Sequence, residues 1–287
     1  MELNRILFPA PCQSYNTEDY PNQIIWVPKI PDILSIPCFY LQHQEGSSKI
    51  MIYFHGNAED LGLSFEILDT LRSVLRIHVL AVEYPGYGVY SGKPNAEAIL
   101  NDAECIYSFI ISLGVKPDDI IVFGRSIGSG PATFLARNRK IGCLMLMSAY
   151  TSIKDAAKHF AGKFGESLIK ERFENIKNMP FITCPTFLVH GIKDSVIPFE
   201  HSQKLHELCK GPSSLFLPSE MTHNNFDYCD DLILPIASFL CQSGISVSPQ
   251  NDYDGLVHIP WSFFIPPLLQ TVKKKKRDKF KKKNTYS

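Results

Sequence analysis

A chain of 287 residues, 45% hydrophobic and 20% charged, can bury one sizeable core, and this ordinary balance excludes a chain disordered throughout. The net charge is zero, but residues 273–283 read KKKKRDKFKKK, nine basic residues from Lys273 to Lys283 against Asp278 alone. The rest of the chain therefore carries about −8, an acidic body that does not suit a nucleic-acid backbone.

The eight cysteines, at 12, 38, 105, 143, 184, 209, 229 and 241, form no CxxC pair, which removes support for a zinc site or a thioredoxin-like motif. Pro9 and Pro11 interrupt the N terminus where a signal peptide needs an apolar stretch, and no run approaches the roughly 20 apolar residues of a membrane span. The expectation is a reducing, cytoplasmic compartment.

Residues 1–45 read as an extended lead-in, with short β-prone runs at 24–27 (IIWV) and 38–41 (CFYL) expected as edge strands. A regular pattern begins at Lys49. Strand-length apolar runs fall at 50–54, 78–84, 120–123, 143–147, 186–190 and 215–217, apolar on both faces as in a parallel sheet covered by helices. Between them, Phe65, Leu68, Leu71 and Leu75 keep helical spacing, as do Ile99, Ala103, Ile106 and Ile110, whereas Asp102 breaks the neighbouring stripe. Gly114 and Pro117 close that second helix. The alternation predicts an α/β architecture with a doubly wound, mostly parallel sheet. Residues 148–185 form the long insertion between strands, with an amphipathic piece at 153–164 expected to act as a short lid. The domain is assigned to 46–243, and 244–287, rich in Ser, Pro and Asn before its lysines, is expected to be a flexible tail.

The most informative segment is IIVFGRSIGSG, in which a strand runs into Gly124-Arg125-Ser126-Ile127-Gly128 and a helix follows. A G-x-S-x-G turn needs small residues on both sides of the serine because the strand-to-helix reversal is tight, and it holds the hydroxyl exposed at a helix start. That start supplies N–H groups and partial positive charge for a developing oxyanion. The plain alternative is a Gly-rich turn with an incidental serine.

A serine hydroxyl needs a base, and on such an elbow the acid and then the histidine follow in sequence. Asp194, in the turn after 186–190 and 68 residues beyond Ser126, is the candidate acid, with Asp155 as rival and turn capping as the simpler role. His223, 29 residues further on, is the candidate base, because it alone of the nine histidines follows the last strand and precedes the closing helix. His201 and His206 fall on the helix after Asp194, where a surface role is expected. After strand 50–54, FHGNAED offers Asn57 as a backbone oxyanion donor paired with the N–H of Ile127. Gly86, Gly88 and Gly92 read as turn geometry, since Gly92-Lys93 is followed by Pro94 and not by the Ser or Thr of a P-loop.

In this order the blocks FHGNAEDLG, EYPGYGVYSGKP, GRSIGSGPA, VHGIKDSVIPFEHSQKL and THNNFD resemble the α/β-hydrolase-domain family, and within it the small intracellular palmitoyl-protein thioesterases, over about residues 20–241. The resemblance implies the α/β-hydrolase fold and depalmitoylating activity. It also implies Ser126 as nucleophile, Asp194 as acid, His223 as base and the Asn57 and Ile127 N–H groups as oxyanion donors. The family's animal depalmitoylases carry an N-terminal cysteine cluster, where this chain has Cys12, and the lysine-rich C terminus is its own addition.

The chemistry needs no metal or cofactor: it is cleavage of an acyl ester or thioester of a protein or small molecule through an acyl-enzyme. A serine-aminopeptidase-like amide hydrolase would use the same groups, and a non-catalytic hydrolase-fold binding protein is the reading outside enzymes. The basic tail admits two readings. Trp261, Phe263 and Phe264 just before the lysines suit an anionic membrane surface, and a nuclear-import-like or solubilising run fits equally.

Overall fold

The computed structural model describes residues 8–29, 35–156, 172–247 and 257–267. Most of the expected lid piece (157–164) and the lysine-rich run lie outside the described residues; residues 153–156 begin as a helical turn. The sequence pattern and the observed strands agree closely: β1 (Ile24–Pro28), β2 (Ser35–Leu41), β3 (Ile50–Phe54), β4 (His78–Val82), β5 (Ile120–Arg125), β6 (Cys143–Met147), β7 (Thr186–Val189) and β8 (Ser213–Phe216). The longer helices are α1 (Phe65–Leu75), α2 (Ala96–Ser112), α3 (Ser129–Asn138), α4 (Glu200–Leu208) and α5 (Leu234–Gln242).

The strands form one eight-stranded sheet in the order β1-β2-β4-β3-β5-β6-β7-β8, parallel from β4 to β8 and antiparallel across β1-β2-β4. One expectation needs correcting: β1 is an edge, but β2 lies inside the sheet, bonded to β1 on one side and β4 on the other. The flanking prolines that suggested an edge are accommodated there, because Pro37 still offers its carbonyl, which accepts from the N–H of Glu83 at 3.2 Å.

Alternate residues of each central strand feed opposite layers. Ile50, Ile52 and Phe54 of β3 face a core built with α2, α3 and α4, while Met51 and Tyr53 face one built with α1 and α5. This explains why the central strands read as continuous apolar runs instead of alternating ones. Asn95 starts α2, its side chain accepting from the N–H of Ala98 at 2.8 Å. Asp102, the break in the α2 stripe, is buried but compensated: Lys29 Nζ lies 2.6 Å from one carboxylate oxygen and the Tyr90 hydroxyl donates to the other at 3.0 Å.

After β3 the chain winds to β4 on one side and then returns to β5 on the other. The connections after β3 and β5 therefore diverge, leaving a crevice at the carboxyl ends of these two strands, where open α/β sheets bind ligands. The register pairs Phe54 with Gly124, so the segment that follows β3 opens beside the G-x-S-x-G turn.

Candidate active site

Close packing demands both elbow glycines. A Cβ on Gly124 would stand 2.4 Å from the carbonyl oxygen of Gly128, and one on Gly128 would stand 2.1 Å from that of Phe54, separations real side chains do not adopt. Between them Ser126 has φ of 50°, the left-handed region, a conformation costing a non-glycine residue roughly 1–2 kcal/mol. Ser126, Ile127 and Gly128 form a tight 3₁₀ turn that runs into α3. The Ser129 hydroxyl secures the start by donating to the Ser126 carbonyl at 2.7 Å. The residue the sequence singles out as nucleophile therefore sits on a strained strand-to-helix reversal.

Asp194 lies past the end of β7 with its side chain out of water. Its Oδ1 accepts the N–H groups of Val196 and Ile197, each at 2.8 Å. Its Oδ2 lies 2.8 Å from Nδ1 of His223 and 3.2 Å from Nε2 of His190. Burial alone would raise its pKa, but the hydrogen bonds from the two imidazoles and the Ile197 amide outweigh it and hold the carboxyl well below the usual range. It is an anion at any ordinary pH, and it fixes the His223 ring through Nδ1.

The rival acid, Asp155, accepts the Thr151 hydroxyl at 2.8 Å, and Nδ1 of His201 lies 2.9 Å from that hydroxyl. His201 is thus half-buried and ties α4 to the segment after β6, a structural tie in place of the expected surface role. His190 closes the 186–190 run just before Gly191, a place where the sequence pattern assigns it no role in the site. It is fully buried, and its Nδ1 meets the Ser202 hydroxyl at 2.7 Å while Nε2 meets the Ile197 carbonyl at 2.8 Å. The available signal was its place at the end of a predicted strand, four residues before Asp194.

Ser126 and His223 are brought into one neighbourhood by Arg125. Its guanidinium donates to the His223 carbonyl at 3.1 Å and to Oδ1 of Asn224 at 3.0 Å, and it pairs with Glu59 at 2.5 Å. Among the described residues the hydrogen bonds of His223 run to Asp194 and Arg125, and none reaches the Ser126 hydroxyl directly. Catalytic contacts at a resting site are often loose and tighten when substrate binds.

On the other wall, the side chain of Asn57 accepts the Tyr87 hydroxyl at 2.9 Å, which holds the segment after β3 against the one after β4. The N–H of the preceding Gly56 is taken by Glu59, so it is not available to an oxyanion. The loop after β4 turns through positive φ at Gly86, Gly88 and Gly92, as expected of turn glycines.

Two open surface grooves, one along β8 and α5 and one beside β2, are lined by none of Ser126, Asp194 or His223. Among the described residues no three His, Cys, Asp or Glu side chains converge to hold a metal ion, and no helix is long and apolar enough to cross a membrane.

The sheet order and the elbow at the end of β5 define the class of architecture: this is the α/β-hydrolase fold. An esterase of Pyrococcus furiosus superposes on it with a TM-score of 0.66 at 16% identity, over 81% of this chain and 98% of that one, a likeness in fold alone. No family model matches the chain.

In sequence the chain resembles the α/β-hydrolase-domain-containing proteins. It is 27% identical to human protein 17B over 213 residues, 74% of this chain and 73% of the relative. It is 31% identical to protein aho-3 of Caenorhabditis elegans over 175 residues, 61% of this chain and 52% of the relative.

Proposed function

We propose that this α/β-hydrolase cleaves acyl esters or thioesters through an acyl-enzyme on Ser126, with Asp194 and His223 completing the triad. The observation that carries the reading is the Asp194–His223 contact of 2.8 Å, anchored by Arg125 beside an elbow whose serine is held at a φ of 50°. Ser126 Oγ attacks the acyl carbon and its proton passes to Nε2 of His223. Asp194 holds Nδ1–H and stabilises the imidazolium. The oxyanion is met by the N–H groups of Asn57 and Ile127, where charge develops. Collapse breaks the carbon–sulfur or carbon–oxygen bond, and His223 returns the proton to the leaving group. Water then adds to the acyl-enzyme, giving its proton to His223, and the carboxylic acid departs as Ser126 recovers its hydrogen.

Long-chain acyl thioesters of protein cysteines are the proposed substrates, on the resemblance of the motif blocks to the palmitoyl-protein thioesterases. Purified protein is expected to turn over acyl thioesters and esters of graded chain length, with Ser126→Ala lowering kcat by about 10⁴ or more. Equal turnover by Ser126→Ala rejects the reading, and preference for aminoacyl amides would favour a peptidase.

We further propose that the protein is cytoplasmic and meets anionic membrane surfaces through residues 273–283. Trp261 and Ile265, large apolar side chains left 63% and 60% exposed, stand 12 and 8 residues before Lys273, the start of that run. Each lysine near such a surface adds about 1 kcal/mol. Removing 273–283 is expected to weaken binding to phosphatidylserine vesicles, and unchanged binding rejects the surface.

A further inference from the structure

Arg125 occupies the variable position immediately before the elbow serine, where nothing in the chemistry of acyl transfer calls for a charge. Yet its side chain is only 12% exposed, and from the elbow that carries it, it contacts two further functional segments at once. Oε2 of Glu59, in the loop after β3, lies 2.5 Å from Nη1. Nη2 donates to the His223 carbonyl at 3.1 Å and to Oδ1 of Asn224 at 3.0 Å. The other oxygen of Glu59 accepts the N–H of Gly56, next to the proposed oxyanion donor Asn57, at 2.5 Å. The ring of Phe226 lies 5.9 Å from the guanidinium carbon, covering the same loop. Burial opposes the guanidinium's charge, but Glu59 more than compensates, so the group stays cationic.

Resting on the hydrolase reading above, we propose that Arg125 is a positioning residue that fixes the His223 loop and the loop after β3 to the nucleophile elbow. The segments carrying the nucleophile, the base and the oxyanion donor come from positions far apart in the chain, 126, 223 and 57. One planar fork spans them. A guanidinium can serve several acceptors held at fixed angles, whereas an ammonium on a flexible stem keeps the charge but not the fork. A displacement of about 1 Å at a reacting group costs on the order of 100-fold in rate.

The test is Arg125→Lys in the full chain. The expected result is an unfolding midpoint near that of wild type, kcat lowered about 10- to 100-fold, and KM within about twofold. A second readout needs no turnover: the low-field proton resonance of the His223–Asp194 hydrogen bond. It is expected in Ser126→Ala and broadened or lost in Ser126→Ala/Arg125→Lys. Wild-type kcat with an unchanged resonance overturns the proposal. So does a lowered unfolding midpoint with the resonance intact, which would make Arg125 a packing residue only. Should Ser126→Ala keep full acyl hydrolysis, the hydrolase reading falls, and the resonance still decides the role of Arg125.

Discussion

His55 and His223 each meet a carboxylate near the carboxyl end of a parallel strand, and the two pairs are built to opposite ends. Nδ1 of His55 bonds the Gly56 carbonyl at 2.8 Å, and Nε2 lies 3.0 Å from Oε1 of Glu83, an ion-pair contact too bent for a good hydrogen bond. Its ring stacks on Tyr84 at 3.8 Å, and both members of the pair are fully buried. Glu83 in turn accepts the Tyr15 hydroxyl at 2.8 Å and the N–H groups of Leu61 and Tyr84. The Glu83 carboxylate is thus committed to holding loops together. His223 has Nδ1 held by Asp194, but its side chain is 12% exposed and its partner is an already saturated anion. Histidine beside a carboxylate thus makes a sealed clamp where the ring is wholly buried and, in the proposed mechanism, a proton carrier where the ring keeps some exposure.

The largest effect that would sharpen this contrast is on the open pair. Asp194→Asn is expected to lower kcat by about 10⁴ while the fold persists, because the neutral amide favours the wrong tautomer of His223. A loss below tenfold would move the acid elsewhere. In the sealed pair, Glu83→Gln should cost about 3 kcal/mol in urea denaturation, since it strips a buried group of its partner. Wild-type stability in that variant would break the comparison.

A pH signature follows from the same burial. Burial alone lowers the pKa of His55, but Glu83 and Glu59 outweigh it and raise the pKa above the ordinary imidazole value. A raised folded pKa means the contribution to stability is full below about pH 6.5 and fades as pH rises through the folded value. The stability difference between wild type and His55→Gln should therefore shrink with rising pH over that window. His78, pushed by burial down to about 4, contributes in the opposite sense and cancels in the difference. A pH-independent difference contradicts a charged His55. The smallest effect concerns the rival acid: Asp155→Asn should leave kcat within about twofold, because its carboxylate serves the Thr151 hydroxyl.

Much of this was legible before the structure. The apolar runs at 50–54 and 143–147 coincide with β3 and β6, because strands covered on both faces admit no polar residue. The elbow announced itself through glycines that packing leaves no room to replace. Sheet order was not legible: β2 sits inside the sheet through pairings with β1 and β4 that no local pattern encodes. Nor were Arg125, Glu59 and His190. Each is a polar residue made tolerable in the interior by partners distant in sequence or hidden in a turn, as Arg125 and Glu59 are to each other across 66 positions. Periodicity reports burial of apolar groups and is silent on compensated charge.

The central claim is that the strained serine at the end of β5 is the group that takes the acyl chain. Wild-type protein treated with a fluorophosphonate probe and digested for peptide mass spectrometry tests it most directly. The account predicts a single covalent adduct on Ser126, absent from Ser126→Ala. An adduct on another residue, or none on protein that turns over acyl thioesters, would contradict it.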